Sequence, residues 1–313
     1  MLSGKTSNKR LRADLALGFN AFVWGTTFVV VKDALSDSSV YVYLALRFSL
    51  AALILGAIFH RSLRQLDKKS IWAGAQIGLF MLGGYVFQTA GLQYTTPSKA
   101  GFITGCSVLL VPLLLAFFGK PINGWIWAGV AAALLGLYFL TVPPEGFAAL
   151  NKGDVLVFLC AVMFAFQLIL IGRHVEHHSI GGLAFLQVAV TAVFCAILVP
   201  VFAATHIDPP RLAWTRMFIF ALLVTSIVST VIGFYLQVWA QKHTSSTHAA
   251  ILLTLEPVFA ALTSWLVAHE RLGPRALFGA ALILFGILMA ELKGATPVAP
   301  GSPEPSVYSA QEE

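Results

Sequence analysis

The chain has 313 residues, 58% of them hydrophobic and 11% charged, with a formal net charge of +6. Soluble domains carry about 25% charged residues. One water-soluble core cannot bury this much apolar side chain, so the bilayer is the solvent for most of it. Nucleic acid is excluded as the reason for the positive charge, because Lys and Arg sit in short polar segments and no basic patch interleaves with aromatics.

Residues 1–13 are polar and basic, and the apolar run Leu15 to Val31 follows. Its bulky Phe19, Phe22, Trp24 and Phe28 leave no small-residue cleavage site, so it reads as a retained span rather than a signal peptide. Further spans read as Val40–Phe59, Ile71–Leu92, Ala100–Phe118 and Ile122–Thr141. A second set reads as Val155–Ile171, Gly181–Ala203, Met217–Trp239, Ser246–Ala268 and Pro274–Ala290. At about 1.5 Å rise per residue, each crosses about 30 Å of hydrocarbon with some tilt. From Lys293 onward Pro, Gly, Ser and Glu replace the apolar residues, the composition of a disordered segment.

The two sets of five repeat one another. TTPSKAGFITG from Thr95 returns as TSSTHAAILLT from Thr244, a shift of 149 that also places Gln88 on Gln237 and Lys99 on His248. A shift of 150 places Gly129 and Gly136 on Gly279 and Gly286, and a shift of 140 places Asp14 on Asp154 and Trp24 on Phe164. Five crossings per copy force the second copy upside down. The expected fold is therefore an all-α membrane protein of ten transmembrane helices in two inverted five-helix repeats, 14–141 and 153–291, with a disordered cytoplasmic tail, 292–313. Inverted repeats with a site between them are a transporter build.

Orientation follows from the Lys and Arg bias. With the N-terminus inside, seven of the 20 (Lys32, Lys99, Lys152, Arg211, Arg216, Arg271 and Arg275) fall outside, Arg47 lies within a span, and the remaining 12 fall inside. The expectation is a multi-pass protein of a cell membrane, in a bacterium the inner one, with both termini cytoplasmic.

A few polar residues lie at membrane depth. Glu256 is ten residues into the ninth span, about 15 Å deep, where a carboxylate costs roughly 3 kcal/mol unless paired, protonated or wet. It precedes Pro257, which frees the carbonyl of Leu253. It reads as a binder of a cationic group or a proton carrier, or else as a helix-kink element. Arg47, seven residues inside the second span, either faces a cavity and holds a carboxylate or snorkels to the headgroups. Gln88 and Gln237, one turn after Tyr85 and Phe234, line a pathway or glue helices. Trp24, beside Gly25, walls a cavity or fills core. The glycine pairs, seven apart, share one helix face and mark the fifth and tenth spans as scaffold or a homodimer surface. The substrate-binding set is Trp24, Arg47, Tyr85, Gln88, Gln237 and Glu256.

Other chemistry is not indicated. Cys106, Cys160 and Cys195 lie inside apolar spans at no zinc or disulfide spacing. His174, Glu176, His177 and His178 read as a solvated loop rather than a metal site. No phosphate loop, HExxH or GxSxG is present. No enzyme, cofactor or metal is expected.

AFVWGTTFVVVK, YLALRFSLAALIL, TTPSKAGFITG, THAAILLTLEPVFAALTSWLVAHERL and GAALILFGILMAE together resemble the EamA-type branch of the drug/metabolite transporter superfamily. The resemblance covers residues 14–291. It implies a cavity lined by the first four helices of each repeat, with the fifth and tenth outside, and export of amino acids, metabolites or toxic compounds by facilitation or proton exchange. Glu256–Pro257 and Arg47 carry over; the first repeat departs, with Ser107 and Val108 in the places of Glu256 and Pro257. The function expected is a secondary carrier exporting a small metabolite such as an amino acid by alternating access. Drug efflux, or a membrane sensor or structural protein without flux, are the alternatives.

Overall fold

The computed structural model describes residues 3–64, 66–117, 123–146, 150–243 and 252–294. The helices are α1 (Ser3–Asp37), α2 (Val40–Leu63), α3 (Lys68–Leu92), α4 (Pro97–Phe117), α5 (Gly124–Thr141), α6 (Lys152–His174), α7 (Ile180–Ala204), α8 (Arg216–Gln241), α9 (Leu255–Val267) and α10 (Pro274–Gly294). The first eight are long and apolar enough to span a bilayer. The expected start of the ninth span at Ser246 lies outside the described residues, as do His248 and the tail beyond Gly294. Several helices begin a few residues before their apolar runs because polar caps set their starts. Asp67, Thr96, Asn123, Asn151, Ser179 and Thr215 each accept a hydrogen bond from a first-turn N–H.

Contacts exchange between the halves as a two-fold relation requires. α1 packs on α9 as α6 packs on α4, and α3 packs on α6 as α8 packs on α1. The self-related pairs α2 with α7 and α5 with α10 lie on the axis. The α5–α10 seam fixes the direction. A Cβ on Gly129 would stand 2.4 Å from the Gly286 carbonyl, and one on Gly136 would stand 2.6 Å from the Gly279 carbonyl. The residue order is opposed, so the two helices are antiparallel and the repeats are inverted. Each pair of glycines faces the other pair, so these small-residue faces are spent inside the chain as scaffold.

At the face where α1 ends, polar bonds tie one repeat to the other. Lys99 pairs with Asp154 at 3.3 Å, and the Thr95 hydroxyl donates to the same carboxylate. Asn151 Nδ2 donates to the Tyr94 carbonyl (2.6 Å), and Ala213 N donates to the Asp37 carbonyl (2.7 Å). Lys32 Nζ caps the carbonyl end of α3 through Leu92 and Thr95.

Gly286→Ala should lower the thermal unfolding midpoint in detergent, with a cost of about 1–3 kcal/mol from forced separation of α5 and α10. Gly18→Ala, with nothing within 4 Å of its Cβ, should not lower it.

Candidate functional site

Between the repeats lies a cavity with about 760 Å³ of space not filled by atoms, part of it open to solvent. All six residues singled out from the sequence line it: Trp24, Arg47, Tyr85, Gln88, Gln237 and Glu256. They come from α1, α2, α3, α8 and α9, so neither repeat builds the site alone.

Arg47 does not snorkel. It is 2% exposed and turned inward onto α8. Its Nε donates to Thr230 Oγ1 (3.0 Å), and one terminal nitrogen donates to Ser229 Oγ (3.0 Å) and Tyr85 Oη (3.3 Å). The guanidinium also lies 4.6 Å from the centre of the Tyr85 ring. The receiving stretch of α8, Val224–Ile232, is a π-helix. Its wider turn brings Thr225, Ser226, Ser229 and Thr230 to buried positions. Thr230 Oγ1 returns to the Thr225 carbonyl five residues back (2.8 Å), and Tyr43 Oη donates to Thr225 Oγ1 (2.8 Å). Such bulges recur at functional sites because they re-aim a short stretch of side chains.

Glu256 is half-buried and lines the cavity with no hydrogen bond or ion pair among the described residues. α1 approaches it closely through Gly25, whose Cβ would lie 2.5 Å from the Glu256 carbonyl. Just before it, Thr254 interrupts the helix for one residue. α4 has the matching interruption at Cys106, between Gly105 and Ser107. The two interruptions fall within a residue of the 149-residue shift, although only α9 has a proline there. Gly105 packs on Pro257, so the interruptions meet at the cavity wall. Ser107 stands where the second repeat has Glu256; the geometry is symmetric and the charge is not.

Among the described residues Gln88 Nε2 reaches only Thr104 Oγ1, at 3.4 Å. Gln237, 2% exposed, makes no hydrogen bond with the described residues. Gln237 thus joins no two helices, and Gln88 joins α3 to α4 by one long bond. Trp24 donates through Nε1 to the Ser229 carbonyl (3.0 Å), which fixes the indole as a wall beside Phe234. Sequence reasoning missed Ser229, Thr230, Thr104 and Gln167. The four hydroxyls of TSIVST, paired at i and i+4 in an apolar span, were the available signal. The rings of His174 and His178 stand 5.8 Å apart, with His178 on Ser70 Oγ. No group of three His, Cys, Asp or Glu side chains forms a metal nest among the described residues.

A helical bundle of inverted repeats enclosing, at their interface, a mostly apolar cavity set with a few polar side chains is a membrane-transporter architecture. The profile of the EamA-like transporter family matches residues 11–142 and again 151–292, so the chain belongs to that family and is a multi-pass membrane transporter. A protein of Archaeoglobus fulgidus named an uncharacterized transporter is 36% identical over 93% of this chain and 89% of its own length. A protein of Bacillus subtilis named the uncharacterized transporter YoaV is 24% identical over 85% of this chain and 92% of its own. A WAT1-related chloroplastic protein of Arabidopsis thaliana is 27% identical over 86% of this chain and 66% of its own. A crystal structure of a protein superposes with a TM-score of 0.64 at 22% identity, covering 90% of this chain and 97% of that one, a likeness of fold.

Ser229→Ala with Thr230→Val should destabilise the protein by about 1–3 kcal/mol per lost acceptor, because the guanidinium stays buried. In that background, Arg47→Leu should cost little more, a non-additivity that a double-mutant cycle of thermal unfolding reads directly.

Proposed function

We propose that this transporter is a secondary carrier that exports a small zwitterionic metabolite, such as an amino acid, by alternating access. The observation that carries this reading is the cavity's charge pattern. Arg47 and Glu256 line one chamber, come from opposite repeats, and are in no ion pair among the described residues. A cation and an anion left apart in low dielectric suit a ligand bearing both signs, a carboxylate on the guanidinium fork and an ammonium on Glu256. Gln88 and Gln237 offer hydrogen bonds between them. Trp24 and Tyr85 wall the apolar part of the ligand.

Rocking of the repeats 14–141 and 153–291 about this chamber would expose it in turn to each side of a cell membrane. The excess of Lys and Arg at the face where α1 begins supports cytoplasmic termini. Glu256 would carry the coupled proton. Efflux of an amphipathic toxic compound is a second reading, favoured by the aromatic share of the wall, with Phe28, Phe164 and Phe234 added to Trp24 and Tyr85.

Purified chain in vesicles, offered a panel of labelled amino acids and amphipathic cations, should move the amino acids, and Arg47→Ala should lose carboxylate-bearing substrates selectively. Movement of the cations alone, unaffected by Arg47→Ala, would favour the second reading. Glu256→Gln should flatten the pH dependence of flux across pH 5 to 9 (about the range a buried carboxyl reaches). An unchanged rate and profile would end the proton-carrier role.

A further inference from the structure

Below the cavity, toward the face where α1 begins and α8 ends, an apolar cluster closes the interface: Leu17, Ala165, Leu168, Ala240 and Leu253 from α1, α6, α8 and the approach to α9. Three amides are set into this floor. Asn20, Gln237 and Gln241 are 0%, 2% and 7% exposed, and the side-chain oxygen of each has no hydrogen-bond partner among the described residues.

The placement of these oxygens is not arbitrary. Asn20 lies one turn below Trp24 on α1, and its Nδ2 donates to the Gly233 carbonyl at 2.8 Å. Gln241 Nε2 donates to the carbonyl of Leu168, a cavity-lining residue, at 3.4 Å. The nitrogens of these two amides are therefore engaged, and their oxygens are what they offer. Gly233, Gln237 and Gln241 stand at i, i+4 and i+8 on α8, one above another on a single face, with about 5–6 Å between Cβ atoms for a pair spaced like Gln237 and Gln241. Gln237 borders the cavity itself, and Gln241 is the last residue of the helix. A stair of acceptors thus descends from chamber to helix end.

Buried acceptors in folded proteins find a donor, and where the protein supplies none the donor is ordered water. We propose that Asn20, Gln237 and Gln241 hold a file of water molecules joining the cavity floor to the end of α8, and that protons pass along it between Glu256 and that face. Among the described residues the lining offers three unpartnered oxygens against one free amide nitrogen, that of Gln237, so it favours hydrogen-bond donors, water and hydronium, over anions. The proton step balances: a hydronium at the floor breaks one O–H bond, a carboxylate oxygen of Glu256 gains one, and water is left behind. The titratable groups near Glu256 are Arg47 on α2, Tyr85 on α3 and Cys160 on α6, while α1 and α4 face it with Trp24, Thr104 and Ser107. None of these lies on the stair, so the file is a separate element. The water file stands on the unpartnered oxygens alone; the delivery of protons rests on the reading of Glu256 as carrier.

Silver ion, small enough for a one-water path, is the probe. In the purified full chain, Gln237→Cys, Gln241→Cys and Asn20→Cys should react with silver roughly tenfold or more faster than Val238→Cys, which packs in a separate apolar cluster with Ile77 and Ile171, since buried thiols are inert and wetted ones are not. The three native cysteines give the background, read peptide by peptide. Rates at positions 237, 241 and 20 equal to that at Val238 would overturn the file, and three independent positions guard against one misfolded variant. In vesicles, Gln241→Leu should slow substrate-linked proton entry more than it slows exchange of labelled substrate; equal effects on both would overturn proton delivery. If the wild type moves no substrate, the carrier reading falls while the silver rates still decide the file.

Discussion

A guanidinium in the middle of a bilayer has no water to satisfy its donors, so the protein must surround it with acceptors or a wet chamber. Arg47 has both. Its acceptors come from α8, the helix of the other repeat, and the stretch that provides them is wound as a π-helix rather than an α-helix. This one requirement couples α2 to α8 across the interface of the halves and orients Tyr85. It also places Ser229, whose carbonyl fixes the Trp24 indole. The chamber wall is therefore a consequence of how one charge is satisfied.

The repeats share a frame and differ in chemistry. Packing exchanges between them, the glycines of α5 and α10 interlock reciprocally, and α4 and α9 are interrupted at matching places. The charged groups occur once. Where α2 has Arg47, α7 has Gln187, bound to Gln167 at 3.0 Å; where α9 has Glu256, α4 has Ser107. A symmetric frame gives two related arrangements of similar energy, the condition for a bistable element. Single-copy charges make the chamber itself asymmetric.

Much of this was legible in the sequence because the membrane penalises polar residues so heavily. Glu256, Arg47, Gln88 and Gln237 stand out against apolar runs, and the structure brings them to one cavity with Trp24 and Tyr85. Glycines seven apart foretold a close seam, though not that each pair would meet the other. Three features were illegible for physical reasons. A π segment differs from an α-helix by a single residue of winding, which hydrophobic periodicity does not resolve. The interruption at Cys106 carries no proline or glycine at its own position and lies beside the packing of Gly105 on Pro257, a contact between distant parts of the chain. The pairing of Lys99 with Asp154 joins positions 55 apart, and only the inverted arrangement brings them together.

The central claim is that two inverted halves rock about the chamber holding Arg47 and Glu256. Two pairs of spin labels measured by pulsed dipolar spectroscopy test it most directly, one at Gln93 and Arg271 on the face where α1 ends, one at Lys69 and Lys242 on the face where it begins. On adding a transported substrate, the account predicts that one distance lengthens as the other shortens, with populations of both states visible in each distribution. Two distances that stay fixed, or that open and close together, would contradict it.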